Sequence, residues 1–521
     1  MCFGVLLDTV SIQKYIFSTN NLKENLGASF IVEEKIYKVY LEEAIKEVFG
    51  EVNSSLLEDW KNKPEKIAIK KDAPYEVGYV GGGNAFLLFA DENKARQFIE
   101  QWSKMLLVYC PGVTVAAAIG RIDLNDNFSQ TLKTLFETLA ENKAKFVPQT
   151  VIPRHGITAD CARTGYSREV WCDNLPSDER DYISSVANAK IAVVDQATKK
   201  YREILKNVIE ENALPEQYDF TNELEQLGQK KHKDSHIAIV HIDGNNMSKR
   251  FMNQKTLPDL RKLSVSLTEA TLRCFKIMLK RLIEEIPRMS NDFELHKKDN
   301  KTILPVRPII IGGDDITFVS EGRLGVWLAK LFLEEFERQK VSDGLRISAC
   351  AGVAITKTKY PFYRGYALAE QLLKKAKDRR KYERDDGSWI DFHLSYGGFS
   401  GSIEEIRKNH YQFSGYSLTL RPYKLSELDE LLKGVYELKK KDKRGKSMYP
   451  RTKIMKLREA LYSGRHAQEL FEIELRARGI RLPGYKHFNG TKLVIDEKTP
   501  YLDMIELMEL YPEFALNGGE Q

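Results

Sequence analysis

The segment that best predicts the fold is Ile309-Ile310-Ile311-Gly312-Gly313-Asp314-Asp315-Ile316-Thr317-Phe318-Val319. Its two apolar runs are rich in β-branched and aromatic residues, a pattern typical of buried strands. The glycines between them supply the backbone freedom of a tight turn, so the segment predicts a β-hairpin with two carboxylates at its tip. Taken alone, the tip is also compatible with a solvated surface turn, because Asp is common in turns.

A second glycine hairpin occurs earlier in the chain, where Gly81-Gly82 precedes Gly312-Gly313 by 231 residues, and three other landmarks recur with it. They are a strand that ends in Asp and leads into a helix, an alanine-rich strand with a glycine, and a helix that closes on Lys-Ala-Lys. Four landmarks in the same order at nearly constant spacing indicate an internal duplication. The matched segments are 3–8 with 236–243, 79–89 with 309–319, 113–120 with 345–352, and 132–145 with 366–377.

Each copy predicts the ferredoxin-like order βαββαβ, with an antiparallel sheet and helices on one face. The expected fold class is α+β, with two palm-like domains joined by a helical connector and followed by a helical C-terminal domain. Helical periodicity after the second copy supports the last of these. The expected boundaries are 1–150, 151–234, 235–396 and 397–521.

Composition sets the broad class of protein. The chain has 521 residues, which exceeds what one hydrophobic core usually organises. It is 42% hydrophobic and 30% charged, and its six cysteines have no regular spacing, which favours reduced thiols. No run of 18 apolar residues occurs, so we expect a soluble, cytoplasmic protein with no membrane partner.

The carboxylates of the second copy predict a metal site. In a ferredoxin-like sheet the first strand lies beside the central hairpin, so Asp243 is expected close to Asp314 and Asp315. Such an oxygen cage suits Mg²⁺ or Mn²⁺, with the Gly244 carbonyl as a further ligand. Two such metals can activate an attacking hydroxyl and stabilise a leaving pyrophosphate.

A basic helix follows the hairpin in each copy. Lys377 and Lys375 lie in this helix, and a lysine there could bind a triphosphate as a point charge. We favour Lys377 because it matches Lys145 in the repeat, although a solvated helix face explains any single lysine as well. The chain has no P-loop, no dinucleotide-binding glycine motif and no His-Glu-x-x-His, so phosphate chemistry is expected through the metal and the palm.

The first copy lacks the acidic pair. Gly83 and Asn84 stand where the second copy has two acids, and the single carboxylate of Asp8 cannot assemble a two-metal site. We therefore expect this half to be inactive in catalysis but able to bind a second nucleotide. A purely structural role for it is the alternative.

Together these motifs resemble the large polymerase-like subunit of type III CRISPR effector complexes, or a stand-alone relative without the HD nuclease domain. The motifs are 312–315, 243–247, 8–17 with 27–29, and 416–423. The hairpin is also similar to that of GGDEF-type cyclases. The resemblance implies synthesis of cyclic oligoadenylate, or a related cyclic nucleotide, from ATP in antiviral defence. The residues expected to bind nucleotide are Gly244, Asn246, Gly312, Gly313, Lys377, Asp8, Gly82, Gly83 and Asn84.

Three features depart from the family's pattern. The sequence contains no His-Asp dipeptide, so DNA cleavage is not expected. Only His155, Cys161 and Cys172 occupy the region of a four-cysteine zinc element, and structural zinc is therefore not expected. The acidic turn after the first strand has Asn245 where the family has Asp.

A non-catalytic scaffold subunit is the alternative function. In that case the chain joins other CRISPR effector subunits and contacts the phosphates of guide or target RNA through the basic segment 439–446. A solvated lysine-rich loop explains this segment equally well.

Overall fold

The computed structural model describes residues 2–145, 156–215, 217–229, 235–289, 293–395, 401–413, 415–441 and 447–516. The basic residues 442–446 and His155, both named above, lie outside the described residues. All six cysteines are buried and free. Among the described helices, none combines the length and the apolar character that crossing a membrane requires.

The elements around the first sheet come first along the chain. They are β1 (Cys2–Thr9), α1 (Ile12–Ile16), α2 (Leu22–Phe30), a π-helical segment (Ile31–Val39), α3 (Tyr40–Phe49), α4 (Ser54–Asn62), β2 (Tyr75–Gly81), β3 (Asn84–Phe89), α5 (Glu92–Tyr109), β4 (Val115–Ile122) and α6 (Phe128–Lys145).

Two helices and three short strands follow before the second sheet. They are β5 (Val170–Trp171), β6 (Tyr182–Ile183), α7 (Ser185–Ala192), α8 (Val194–Glu211) and β7 (Tyr218–Asp219).

The second sheet region contains the longest helix, α10. Its elements are β8 (His236–Gly244), α9 (Met247–Met252), α10 (Leu257–Met289), β9 (Lys297–Lys298), β10 (Lys301–Ile303), β11 (Val306–Gly312), β12 (Asp315–Glu321), α11 (Gly325–Arg338), β13 (Ala349–Lys357), α12 (Phe362–Tyr382) and β14 (Trp389–Leu394).

The C-terminal part is mainly helical. Its elements are α13 (Ile403–His410), β15 (Gln412–Phe413), β16 (Tyr416–Ser417), β17 (Tyr423–Lys424), α14 (Leu425–Lys439), α15 (Arg451–Tyr462), α16 (Arg465–Ala477), α17 (Tyr501–Leu510) and α18 (Glu513–Leu516).

The strand order confirms the predicted fold class. The first sheet has the order β2-β3-β1-β4, and the second repeats it as β11-β12-β8-β13, extended by β14 and β17. In both sheets the first strand of the copy lies centrally and pairs antiparallel with the second strand of the hairpin. This is the ferredoxin-like order, which brings the hairpin turn to the end of the central strand.

The two sheets also share an irregularity at corresponding positions. The register of β2 shifts between Val77 and Tyr79, and that of β11 shifts between Pro308 and Ile310. A β-bulge increases the local twist and is common beside functional sites, where it re-aims the following residues. The hairpin turn follows each bulge within a few residues, so the same irregularity sets the direction of both turns.

The segment 416–423 holds the C-terminal part against the second sheet. Arg421 is buried, and its guanidinium pairs with Asp503 at 3.1 Å and Glu506 at 3.0 Å. The next strand, β17, pairs with β14 at the sheet edge. This sequence motif therefore serves packing between parts of the chain, because a buried cation is stable only when it is paired.

Candidate active site

Three carboxylates lie at one end of the second sheet. Asp243 of β8 is the register partner of Asp315, the first residue of β12. The backbone N–H of Gly244 donates to the carbonyl of Asp314 at 3.2 Å, which fixes the turn against the end of β8. The sheet register therefore brings together the three acids that the sequence singled out.

Gly244 has no room for a side chain. A Cβ atom at this position would stand 2.6 Å from Oδ2 of Asp314, well inside van der Waals contact. Gly313 has a φ of +58°, in the left-handed region that favours glycine. The two glycines are thus required by the close approach of the Asp314 carboxylate and by the turn itself.

The site carries more negative charge than its described surroundings neutralise. Burial first, and the charge of Asp243 second, raise the pKa of Asp314 to about 7 and that of Asp315 to about 8. Oδ1 of Asp315 is buried without a hydrogen-bond partner among the described residues. Its neighbour at 3.4 Å is Nε2 of His241, and burial lowers the pKa of that imidazole to about 4.

Lys377 supplies the positive charge at the strand end. Its ammonium group projects from α12, donates to the carboxylate of Asp243 and lies 3.3 Å from the Gly244 carbonyl. Lys375, on the same helix, instead pairs with Glu404 at 2.6 Å. The structure therefore places Lys377, the lysine that the sequence favoured, at the acidic strand end and Lys375 away from it.

The first sheet has a reduced version of the same arrangement. Asp8 is the register partner of Asn84, and the N–H of Thr9 donates to the Gly83 carbonyl at 3.0 Å. Nζ of Lys143 lies 2.5 Å from Oδ2 of Asp8. Burial raises the pKa of Asp8, while Lys143 opposes this rise.

The lysine assigned to the first copy from sequence was wrong. Lys143, not Lys145, takes the place of Lys377, while Lys145 pairs with Glu141 along α6. The register of the central strands explains the difference, because Asp8 pairs with Ala116 and Asp243 pairs with Cys350. Alignment of the glycines and of the Lys-Ala-Lys motifs gives an offset of 232 between the two copies. In the structure, the alanine-rich strands and the basic helices instead match at an offset of 234, two residues away.

Both hairpin turns open on one cavity of about 470 Å³. The turns also approach each other directly, since a Cβ at Gly313 would stand 3.5 Å from Cα of Gly82. Asp8, Asn84 and Lys143 line the cavity on one side, and Asp243 and Asp314 line it on the other. Two helices near the second sheet, α9 and α10, also line the cavity. Their contribution is Met247, Ser248, Phe251, Met252, Ser264, Leu267 and Thr268.

Two residues near the acidic strand end point elsewhere. Asn245 is buried between Ser348, to which its amide donates at 3.0 Å, and Cys350, whose thiol lies 3.3 Å from its oxygen. The departure from the family's Asp at this position thus affects packing behind the sheet. Asn246 has a φ of +61° and accepts from Arg380 at 3.3 Å.

Metal ligation requires the carboxylates to converge further than they do here. Within the described residues, no group of three or more His, Cys, Asp or Glu side chains is placed so that it could hold a metal ion. The ammonium of Lys377 contacts the Asp243 carboxylate, at the place where a metal cation would otherwise bind. The unsatisfied oxygen of Asp315 and the raised pKa values of Asp314 and Asp315 nevertheless fit a site that favours an added cation.

The sequence of the second sheet region matches a known family. Residues 236–386 match the family model described as Cas10/Cmr2, second palm domain. This region is similar to a Cas10/Cmr2 palm domain. The match confirms the resemblance to the large subunit of type III CRISPR effector complexes, and the second sheet is called the second palm domain below. A comparison with the curated proteins gave no significant match.

Solved structures with the same fold extend over nearly the whole chain. A Csm1-Csm4 cassette in complex with one ATP matches with a TM-score of 0.56 at 12% identity, over 98% of this chain and 70% of that chain. Csm1 in T. onnurineus matches with a TM-score of 0.55 at 14% identity, over 98% and 70%. A Csm1-Csm4 cassette in complex with cA3 matches with a TM-score of 0.53 at 11% identity, over 97% and 69%. These likenesses establish a shared fold.

Proposed function

We propose that this chain is a palm-type nucleotidyltransferase that joins and cyclises ATP into cyclic oligoadenylate as an antiviral second messenger. The observation that carries the proposal is the shared cavity, into which the acidic turn of the second palm domain and the degenerate turn of the first sheet both open. Two nucleotides held there would face each other across the contact between Gly82 and Gly313. The solved Csm1-Csm4 structures with ATP and cA3 have the same fold and support this reading.

The donor nucleotide belongs to the second palm domain. We assign Lys377 to the triphosphate, because its ammonium lies at the acidic strand end and can move from Asp243 to phosphate oxygens. Gly312 and Gly313 let the backbone approach the nucleotide closely. Asp243, Asp314, Asp315 and the Gly244 carbonyl would hold Mg²⁺ or Mn²⁺, which supplies charge stabilisation for phosphoryl transfer when bound.

The acceptor nucleotide belongs to the first half of the cavity. Asp8, Lys143 and Asn84 face it and can position a ribose or a phosphate. In the reaction a ribose hydroxyl oxygen of the acceptor forms a bond to the α-phosphorus of the donor. The bond from that phosphorus to the bridging oxygen breaks, pyrophosphate leaves and the hydroxyl proton passes to solvent. Repetition followed by an intramolecular attack closes the ring.

We also propose the chain's organisation and partners. The division at residues 150, 234 and 396 assigns catalysis to residues 235–396. A Csm4-like effector subunit and target RNA are the proposed partners, since the solved Csm1 structures of this fold include Csm1-Csm4 cassettes. The chain covers about 70% of those Csm1 chains.

The proposal is tested by mass spectrometry of the product formed from an equimolar mixture of the four NTPs with Mg²⁺ or Mn²⁺, with and without target RNA and a Csm4-type subunit. We expect pyrophosphate and a phosphatase-resistant cyclic oligoadenylate. Absence of product under all conditions, together with tight and salt-sensitive RNA binding, would instead identify a scaffold subunit.

A further inference from the structure

One face of α10 passes both hairpins. Arg261, Ser264, Thr268 and Thr271 are spaced by three or four residues, so their side chains share one side of the helix. Arg261 reaches the first hairpin, Ser264 and Thr268 line the cavity, and Thr271 reaches the second hairpin. The ten helical steps from Arg261 to Thr271 span about 15 Å of rigid helix.

Arg261 anchors α10 to the first sheet. The side chain is 1% exposed, and its guanidinium donates to the carbonyls of Val77 at 2.6 Å, Lys66 at 2.8 Å and Gly78 at 3.3 Å. It also lies 3.3 Å from the carboxylate of Glu76. Because the carbonyls of Val77 and Gly78 lie at the bulge of β2, the helix is fixed to the strand that leads into the glycine turn.

Thr271 contacts the acidic turn at its most constrained residue. Its hydroxyl, also buried, donates to the carbonyl of Gly313 at 2.6 Å. That peptide group leads directly into Asp314, whose own carbonyl accepts from Gly244. The turn is thus held from two sides, by the end of β8 and by α10.

We propose that Thr271 is a positioning residue for the reaction. Its hydroxyl fixes the Gly312–Asp315 turn relative to the first hairpin, to which the same helix is anchored by Arg261. The distance between the carboxylates of Asp314 and Asp315 and the acceptor half of the cavity is therefore held constant. This assignment rests on the proposed function, because the distance matters only if two nucleotides react across it.

The test compares Thr271→Val, which keeps the shape and removes the donor, with Thr271→Ser, which keeps the hydroxyl. We expect the Val variant to lose about tenfold or more in kcat with KM for ATP within about twofold, because misplacement of reacting groups lowers the rate more than binding. The Ser variant should retain at least about half of the wild-type kcat, since its donor persists. Thermal unfolding of each variant verifies the fold.

Amide hydrogen exchange provides a readout that needs no catalysis. Loss of one buried hydrogen bond should speed exchange in the peptide containing residues 312–315 by about fivefold in the Val variant. Ser266→Ala is the matched control, because this hydroxyl on α10 contacts Leu263 and Ser342 and not the turn. It should leave both measurements unchanged.

The outcomes separate the two proposals. A Thr271→Val protein with wild-type kcat, or with unchanged exchange at the turn, overturns the assignment of Thr271. A wild-type protein that makes no cyclic product overturns the proposed function, and the exchange data still decide whether Thr271 holds the turn.

Discussion

Lys377 and Asp243 connect helix α12 to the end of the central strand of the second palm domain. The ammonium of Lys377 donates to the carboxylate of Asp243 and also lies 3.3 Å from the Gly244 carbonyl. The pair of Lys143 and Asp8 repeats this relationship in the first sheet. Duplication has therefore preserved a charge pair at each strand end, even though only one copy retains the acidic turn.

Substitution of Lys377 and of Lys143 is expected to affect different steps of the reaction. Lys377→Met should raise the KM for ATP by about tenfold to a hundredfold, because a charged hydrogen bond to phosphate is lost. Lys143→Met should weaken binding of the acceptor nucleotide, so linear intermediates should accumulate for longer before the ring closes. Steady-state kinetics and product analysis check both effects. Lys375→Met is the control, since that lysine pairs with Glu404; an equal loss in this variant would contradict the assignment of Lys377.

Removal of the acidic pair should abolish synthesis without unfolding the protein. Asp314→Asn with Asp315→Asn is expected to lower product formation at least about 1000-fold, since charge stabilisation dominates phosphoryl transfer. The melting temperature should be equal to or above that of the wild type, because Asn removes the ionised forms that burial and crowding disfavour at both positions. Product detection by mass spectrometry and a thermal melt are the measurements. Synthesis at more than a tenth of the wild-type rate would refute the site.

Gly244→Ala tests the close approach of Asp314. The new Cβ would meet Oδ2 of Asp314 at 2.6 Å, so we expect a loss of about 1–3 kcal/mol in the free energy of unfolding, together with lost synthesis. Gly312→Ala is the matched stability control, because a Cβ there meets no atom within 4 Å. Denaturant unfolding distinguishes the two. Equal stability of both variants would mean that the turn can move away from β8.

His393 predicts a pH-dependent part of the stability outside the site. The imidazole is buried beside Arg421, Arg407 and His410, and burial followed by these charges lowers its pKa to about 3 from 6.5. The neutral form is thus favoured in the folded state, so its contribution is present above pH 6.5 and is lost as the pH falls toward 3. From pH 7 to pH 5 this amounts to about 2 kcal/mol.

His393→Phe removes this titration. Denaturant unfolding at pH 7 and pH 5 should show that the wild type loses about 2 kcal/mol more than the variant over this interval. The difference between the two proteins isolates His393 from the other titrating groups. Identical pH dependence in both proteins would show that the imidazole is not held neutral.

The sequence alone determined the elements that local pattern encodes. Continuous apolar runs on either side of glycine turns predicted both hairpins, and their recurrence predicted the duplicated ferredoxin-like order that the strands adopt. That order is enough to place Asp243 beside Asp315, because the first strand of this fold pairs with the second strand of the hairpin. The roles assigned to the site residues stay predictions.

The register between distant segments followed only from the three-dimensional arrangement of the chain. A strand shifted by two residues presents the same faces, so the pattern of the alanine-rich strand carried no signal of the two-residue shift. The sequence motif matched Lys145 to Lys377, and the structure instead places Lys143 at Asp8. The lining of the cavity by α9 and α10, and the contact of Thr271 with Gly313, also have no local signal. Both features depend on how the long helix α10 packs across the two sheets. That packing is stabilised by contacts between residues that are far apart in the chain.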